Sequence, residues 1–341
     1  MRIKGIPPSE GVLPMFPAPA SRYIVGSLPW YSVLIVFGAL LAIVLASREE
    51  RRTGLKKDTI LDLALWVLPL GIVGARIYYV AFSWADFKDN PLSVLRIWEG
   101  GIAIYGAVIA GLIVVLVFSR IKKLPPLLLC DLIAPGLVLA QGIGRWGNYF
   151  NMEAYGAAVE NPALCFFPFT VYIPADTAAP WHLATFFYES VWDFLVFAAL
   201  MILRRRLFRK QGDVFFFYAF LYACGRLVIE DFRMDSLYAA SSVRVSQLLS
   251  VLVCIALLVY WFIHTRGRSH GWLRVLFFAA ALASAVPVLG YTLNIVIHPA
   301  EISLFSHFVF LAVFSVLNIA ALFLIYGKSS REEVLYAVHK V

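Results

Sequence analysis

Long apolar stretches separated by short polar loops dominate the chain. Nine such stretches cover approximately 28–47, 59–82, 101–119, 127–144, 184–203, 213–232, 244–264, 273–297 and 304–326. Most approach the ~20 residues an α-helix needs to cross a bilayer core. In lipid every backbone polar group has to be satisfied within the segment, so apolar runs of this length are helices. The pattern predicts an all-α fold, a polytopic transmembrane helix bundle. One loop stands out by length: 144–182 is rich in aromatics and holds Pro162, Pro168, Pro174 and Pro180, which oppose a continuous helix.

The basic residues alternate with the spans. Arg48, Arg51, Arg52, Lys56 and Lys57 follow the first, Arg120, Lys122 and Lys123 the third, and Arg204, Arg205, Arg206, Arg209 and Lys210 the fifth. Arg266, Arg268 and Arg274 follow the seventh, and Lys328, Arg331 and Lys340 lie in the tail. The intervening loops hold fewer. Cytoplasmic loops collect Lys and Arg, which places the N-terminus outside and the C-terminus in the cytoplasm. An odd number of spans agrees. Residues 1–27 lack the basic-then-apolar order of a cleavable signal peptide, so the first span is expected to be an uncleaved anchor.

Composition narrows the function classes. The chain is 61% hydrophobic and 15% charged, which excludes an ordinary soluble domain. Its net charge of +8 belongs to short interhelical loops with no extended basic face, so nucleic acid is not an expected partner. Cys130, Cys165, Cys224 and Cys254 form no CxxC pair, and the six histidines form no HExxH pair, so neither a metal site nor a disulfide framework is expected.

Charge within a membrane is expensive and marks candidate sites. Near the end of the fourth span, Arg145, Asn148 and Asn151 share one face if the helix continues, among Gly142, Gly144 and Gly147. In the sixth span Tyr222, Arg226, Glu230 and Arg233 form a single helical stripe. Arg76 lies in the second span and could pair with Asp131, Glu189 or Asp193. Each feature has a plain structural reading: a small-residue interface with a snorkelling Arg145, an Arg226–Glu230 ion pair that tethers helices, and an Arg76 that braces its neighbours. Taken together, arginines at one membrane face suit a phosphate-bearing lipid head group.

Several ordered segments resemble the bacterial prolipoprotein diacylglyceryl transferases. Gly144-Arg145-Trp146-Gly147-Asn148-Tyr149-Phe150-Asn151-Met152-Glu153, with Gly156 following, is similar to the signature of that family. Trp30-Tyr31, Arg76-Ile77-Tyr78-Tyr79, Trp98-Glu99-Gly100-Gly101 through Gly106, Tyr188-Glu189 and Gly225-Arg226 through Arg233 resemble its other blocks. The resemblance implies about seven core spans plus two additional C-terminal ones. It divides the chain into an outward segment 1–27, a transferase-like core 28–264, and a two-span extension with a cytoplasmic tail, 265–341.

The resemblance implies transfer of the diacylglyceryl group of phosphatidylglycerol to the lipobox cysteine of a prolipoprotein signal peptide, releasing glycerol phosphate, in the bacterial cell (inner) membrane. No cofactor is implied. Arg145, Arg226 and Tyr105 are the implied catalytic residues. Arg145, Asn148, Tyr31, Arg226, Glu230, Tyr222, Arg233 and Gly156 are the implied phosphatidylglycerol-binding residues. Tyr105 stands where some members carry a histidine, and His182 is one position away from its family counterpart. A non-catalytic lipid- or lipoprotein-binding paralogue is the alternative function, and an anion transporter, for which matching inverted halves are not visible, is a further one.

Overall fold

The computed structural model describes residues 19, 21–174, 176, 179–206, 210–234, 238–240, 243–264, 275, 278–279, 281, 309 and 311–320. A short antiparallel pair, β1 (Tyr23–Val25) and β2 (Leu28–Pro29), leads into α1 (Trp30–Glu50). Then follow α2 (Thr59–Phe82), α3 (Ile104–Lys122) and α4 (Pro126–Asn151). A hairpin of β3 (Thr170–Tyr172) and β4 (Trp181–Leu183) precedes α5 (Thr185–Arg206) and α6 (Asp213–Phe232). The pair β5 (Tyr238–Ala240) and β6 (Val243–Arg244) leads into α7 (Val245–His264).

Among the described residues, six helices, α1 to α5 and α7, are long and apolar enough to cross a membrane. The chain is a multi-pass membrane protein. The second span coincides with its predicted range, and α6 does too, although Asp213, Arg226, Glu230 and Asp231 reduce its apolar character. The eighth predicted span lies almost wholly outside the described residues, and Leu311–Ala320 is the helical part of the ninth that they include.

The described residues form two compact units. One contains those up to Ala39, those of 137–208 and those from 216 onward; the other contains those of 40–136 and 209–215. The second unit is built on a buried cluster that includes Leu63, Val115, Phe118, Leu128, Leu129 and Leu132. Helices α2 and α3 approach closely because Gly74 and Gly106 face one another. A Cβ on either glycine would collide with the backbone carbonyl of the other.

Two carboxylates of the second unit cap helices. Glu50 accepts from the Ile60 amide at 2.6 Å, at the start of α2. Asp131 accepts from the Gly212 and Phe215 amides at 2.6 and 2.9 Å, where α6 begins. Both satisfy first-turn N–H groups that have no partner within the helix. Asp131 is thus not the partner of Arg76. Nor is any other acid: the Arg76 guanidinium donates to the carbonyls of Val94, Gly100, Gly101 and Ser93 at 2.7–2.8 Å. The expected acid partner is replaced by a loop of carbonyls, which five fixed donors suit better than one carboxylate does. Arg76 staples the 93–101 segment.

In the first unit α4 stays helical to Asn151, seven residues beyond its predicted end, so Arg145 and Asn148 do share a face. The proline-rich loop folds back as β3 and β4, paired Thr170 with Leu183, Val171 with His182 and Tyr172 with Trp181. Tyr149, Phe167, Val171, Ile173, Ala184 and Phe186 fill the space beneath it. His182 ties the loop further, with Nδ1 3.0 Å from the Gly156 carbonyl and Nε2 3.2 Å from Asp176.

Candidate functional site

The polar residues of α4, α5 and α6 converge within the first unit on Glu189. This residue opens α5 one turn after its start and is 2% exposed. Arg145 of α4 donates to its Oε1. Arg226 Nη1 of α6 lies 3.0 Å from both carboxylate oxygens. Arg233 Nη1, just past the end of α6, approaches at 3.5 Å. Arg226 is held on its other edge by Glu230, with Nη2 2.5 Å from Oε2.

Three arginines meet the single carboxylate of Glu189, and Glu230 holds one of them from the other side. The side chains of Arg145, Arg226 and Arg233 remain 21%, 16% and 11% exposed, against 3% for Glu189. The glutamate is therefore more deeply buried than the arginines, and Arg145 and Arg226 keep part of their surface accessible. A forked cation so placed suits a phosphate oxygen.

Beside this cluster the chain leaves α4 in a tight reversal. Met152 and Ala154 adopt left-handed backbone conformations at φ 52° and 54° on either side of Glu153. The reversal is fixed by the Glu153 amide donating to the Asn148 carbonyl at 3.0 Å and by Thr185 Oγ1 donating to the Ala154 carbonyl at 2.6 Å. Glu153 Oε1 accepts from Asn148 Nδ2 at 2.9 Å and from Asn151 Nδ2 at 3.1 Å. Strained backbone held by several hydrogen bonds is characteristic of ligand-binding and catalytic sites.

Tyr31, in the first turn of α1, packs flat on Gly147, where a side chain would displace it. Its phenol is within electrostatic range of Glu153 and Arg145. Gly156 is buried, and a Cβ there would meet the Phe232 carbonyl at 2.6 Å and Leu183 and Thr185 at 2.9 Å. It pairs across to Arg233, so the loop presses on the end of α6 at the point where that arginine leaves the helix. Tyr222 lies one turn before Arg226 and within electrostatic range of Glu189, Arg145 and Arg226.

Of the implied residues, Arg145, Asn148, Tyr31, Tyr222, Arg226, Glu230, Arg233 and Gly156 all belong to the first unit. Tyr105 belongs to the second, in the first turn of α3, its ring tilted 6.3 Å from that of Tyr78. Glu189 and Glu153 were not among the implied site residues. Their signals were present, as the Tyr188-Glu189 pair and the last residue of the α4 signature, but a hub contacted from two neighbouring helices is a tertiary property.

Comparison with known proteins decides the family. The family model for prolipoprotein diacylglyceryl transferase matches residues 21–263. The chain belongs to the prolipoprotein diacylglyceryl transferase family. Among its relatives, the phosphatidylglycerol–prolipoprotein diacylglyceryl transferase of Streptococcus agalactiae serotype V is 46% identical over 245 residues, 72% of this chain and 94% of the relative. The protein of the same description from Enterococcus faecalis is 45% identical over 243 residues, 70% of this chain and 87% of the relative. That from Limosilactobacillus reuteri is 44% identical over 250 residues, 72% of this chain and 90% of the relative. The transferase match spans β1 through α7 and contains every residue of the Glu189 cluster.

Proposed function

We propose that this protein transfers the diacylglyceryl group of phosphatidylglycerol to the lipobox cysteine of a prolipoprotein signal peptide, and that the Glu189-centred arginine cluster is where it does so. The observation that carries the assignment of the site is the arginine excess around one buried carboxylate. Arg145 and Arg226 converge on Glu189 and stay partly exposed, which suits an anionic head group.

In the reaction the cysteine sulfur forms a bond to the glycerol carbon while the C–O bond to phosphate breaks. The products are a thioether and glycerol phosphate. Negative charge grows on the leaving phosphate, and Arg145 and Arg226 stabilise it there. The same cations favour the thiolate, the reactive form of the acceptor. Glu189 and Glu230 hold Arg226 in place, Tyr222 backs it, and Asn148 and Tyr31 position the head group. Gly156 sets the position of Arg233 at the entrance used by lipid. The chain lies in the bacterial cell membrane with its N-terminus outside and its C-terminus in the cytoplasm, so the site opens to the outer leaflet.

Complementation tests this reading. In a bacterium depleted of its own transferase, the wild-type chain restores growth and the labelling of prolipoproteins by radioactive fatty acid, whereas Arg145→Ala inserts into the membrane without restoring either. A wild-type chain that inserts but restores neither supports the non-catalytic paralogue instead.

A further inference from the structure

Asp193 stands apart among the buried acids of the first unit. Glu189, Glu230 and Asp231 are each paired with an arginine. Asp193 is 0% exposed, yet neither carboxylate oxygen has a hydrogen-bond partner among the described residues. It lies four residues beyond Glu189 on α5, one turn along the same face. It borders α4 at Gly142, where an added Cβ would lie 3.2 Å from the Asp193 Cβ. The charged groups acting on it are Glu189 of its own helix, Arg145 of α4 and Arg226 of α6. Tyr222 and Tyr218 of α6 are within its electrostatic range.

A carboxylate that only braced an arginine would accept hydrogen bonds from it, as Glu189 does. A buried carboxyl group without donors is destabilising unless it has another task. Ionisable side chains at membrane depth commonly serve proton or ion movement.

We propose that Asp193 takes up and returns the proton that moves during diacylglyceryl transfer, reached from the arginine cluster by way of Glu189. The inference rests on the reaction proposed above. The acceptor arrives as a thiol and attacks as a thiolate. The S–H proton passes to the Glu189–Asp193 carboxyl pair, whose members are one helical turn apart on α5. The sulfur lone pair forms the C–S bond, and the electrons of the breaking C–O bond go to the phosphate oxygen. Asp193 then returns the proton through Glu189 to that oxygen, so glycerol phosphate leaves with the single negative charge that phosphatidylglycerol brought. The carboxyl pair ends as it began, and no further reactant is consumed.

Charge balance favours this route. Asp193 has to be ionised to take up the proton, and on protonation it gives up the charge that the thiolate gains. A thiolate formed there adds an uncompensated charge unless its proton stays within the cluster. Asp193 is the carboxylate in that cluster whose oxygens no described donor occupies. It touches no reacting atom and is a positioning residue for the proton.

The test uses the purified full chain in detergent with phosphatidylglycerol and two acceptor peptides, one with cysteine and one with selenocysteine at the reacting position. A selenol ionises unaided at neutral pH. In Asp193→Asn, kcat on the cysteine peptide falls by about 100-fold or more and rises with pH, while KM changes little. The selenocysteine peptide is turned over at close to the wild-type rate, a rescue that a merely structural role would not give. Asp193→Glu, which keeps a proton site, retains most activity on both peptides and serves if the Asn variant does not fold. An Asn variant with wild-type kcat on cysteine, or either variant failing equally on both peptides, overturns the inference alone. A wild-type protein inactive on both peptides overturns the reaction assignment with it.

Discussion

Arg226 Nη1 lies 3.0 Å from both carboxylate oxygens of Glu189, so a single glutamate on α5 fixes the arginine of α6. Arg145 binds the same carboxylate from α4. Glu189 on α5 is therefore the residue through which α4 and α6 align their cations, and its removal affects all of them at once.

Glu189→Gln keeps the size of the side chain and removes its charge. Breaking a buried ion pair on one side destabilises by about 3–5 kcal/mol, since the stranded charges stay desolvated. Thermal unfolding in detergent is expected to show a marked loss of stability. Transfer is expected to fall by at least ~100-fold, because misaligned guanidiniums no longer meet the phosphate.

Arg76 serves the loop instead of the site. Its fork reaches the carbonyls of Val94, Gly100, Gly101 and Ser93, and the single ammonium of Arg76→Lys cannot reproduce that pattern. Hydrogen bonds to charged groups contribute about 1.5–3 kcal/mol each, so the loss of two or more is large. Hydrogen exchange of amides in 93–101 is expected to accelerate in Arg76→Lys, and exchange in α5 to stay unchanged.

Gly156→Ala places a Cβ 2.6 Å from the Phe232 carbonyl. Backbone cannot yield as a flexible side chain does, and overpacking of this kind is destabilising by about 1–3 kcal/mol. The strand would shift away from the end of α6 and take Arg233 with it. Weaker phosphatidylglycerol binding, read as a raised KM, is the expected outcome, with kcat affected less.

None of the four cysteines contributes to the Glu189 cluster. Cys224 and Cys254 face each other across α6 and α7 with sulfurs 3.8 Å apart, both buried. Replacing all four by alanine is expected to leave kcat near wild type and to lower the melting temperature modestly through small cavities. Loss of activity in a folded cysteine-free chain would place an enzyme thiol in the reaction.

The spans were legible because lipid imposes a length and a polarity on each helix. The range of α2 was readable to the residue, and the Tyr222, Arg226, Glu230 stripe followed from helical periodicity alone. Where polar residues interrupt the apolar signal, the span ends early: the apolar run of α4 stops at 144, before Arg145, Asn148 and Asn151, whereas the structure keeps them helical. The partner of Arg76 was sought among acids, and it turned out to be a set of loop carbonyls that no side-chain pattern announces. The meeting of Arg145, Arg226 and Arg233 on Glu189 joins positions far apart in the chain, and sequence spacing carries no such information.

The most direct test of the central claim is transfer by the purified chain itself. Protein in detergent is given phosphatidylglycerol and a peptide with a lipobox cysteine, beside an Arg226→Ala variant and a peptide with serine for cysteine. Mass spectrometry is expected to find a diacylglyceryl adduct on the cysteine with the wild-type chain and none in either control. An adduct that persists in folded Arg226→Ala would contradict the place given to the Glu189 cluster, and no adduct from folded wild-type protein would contradict the reaction.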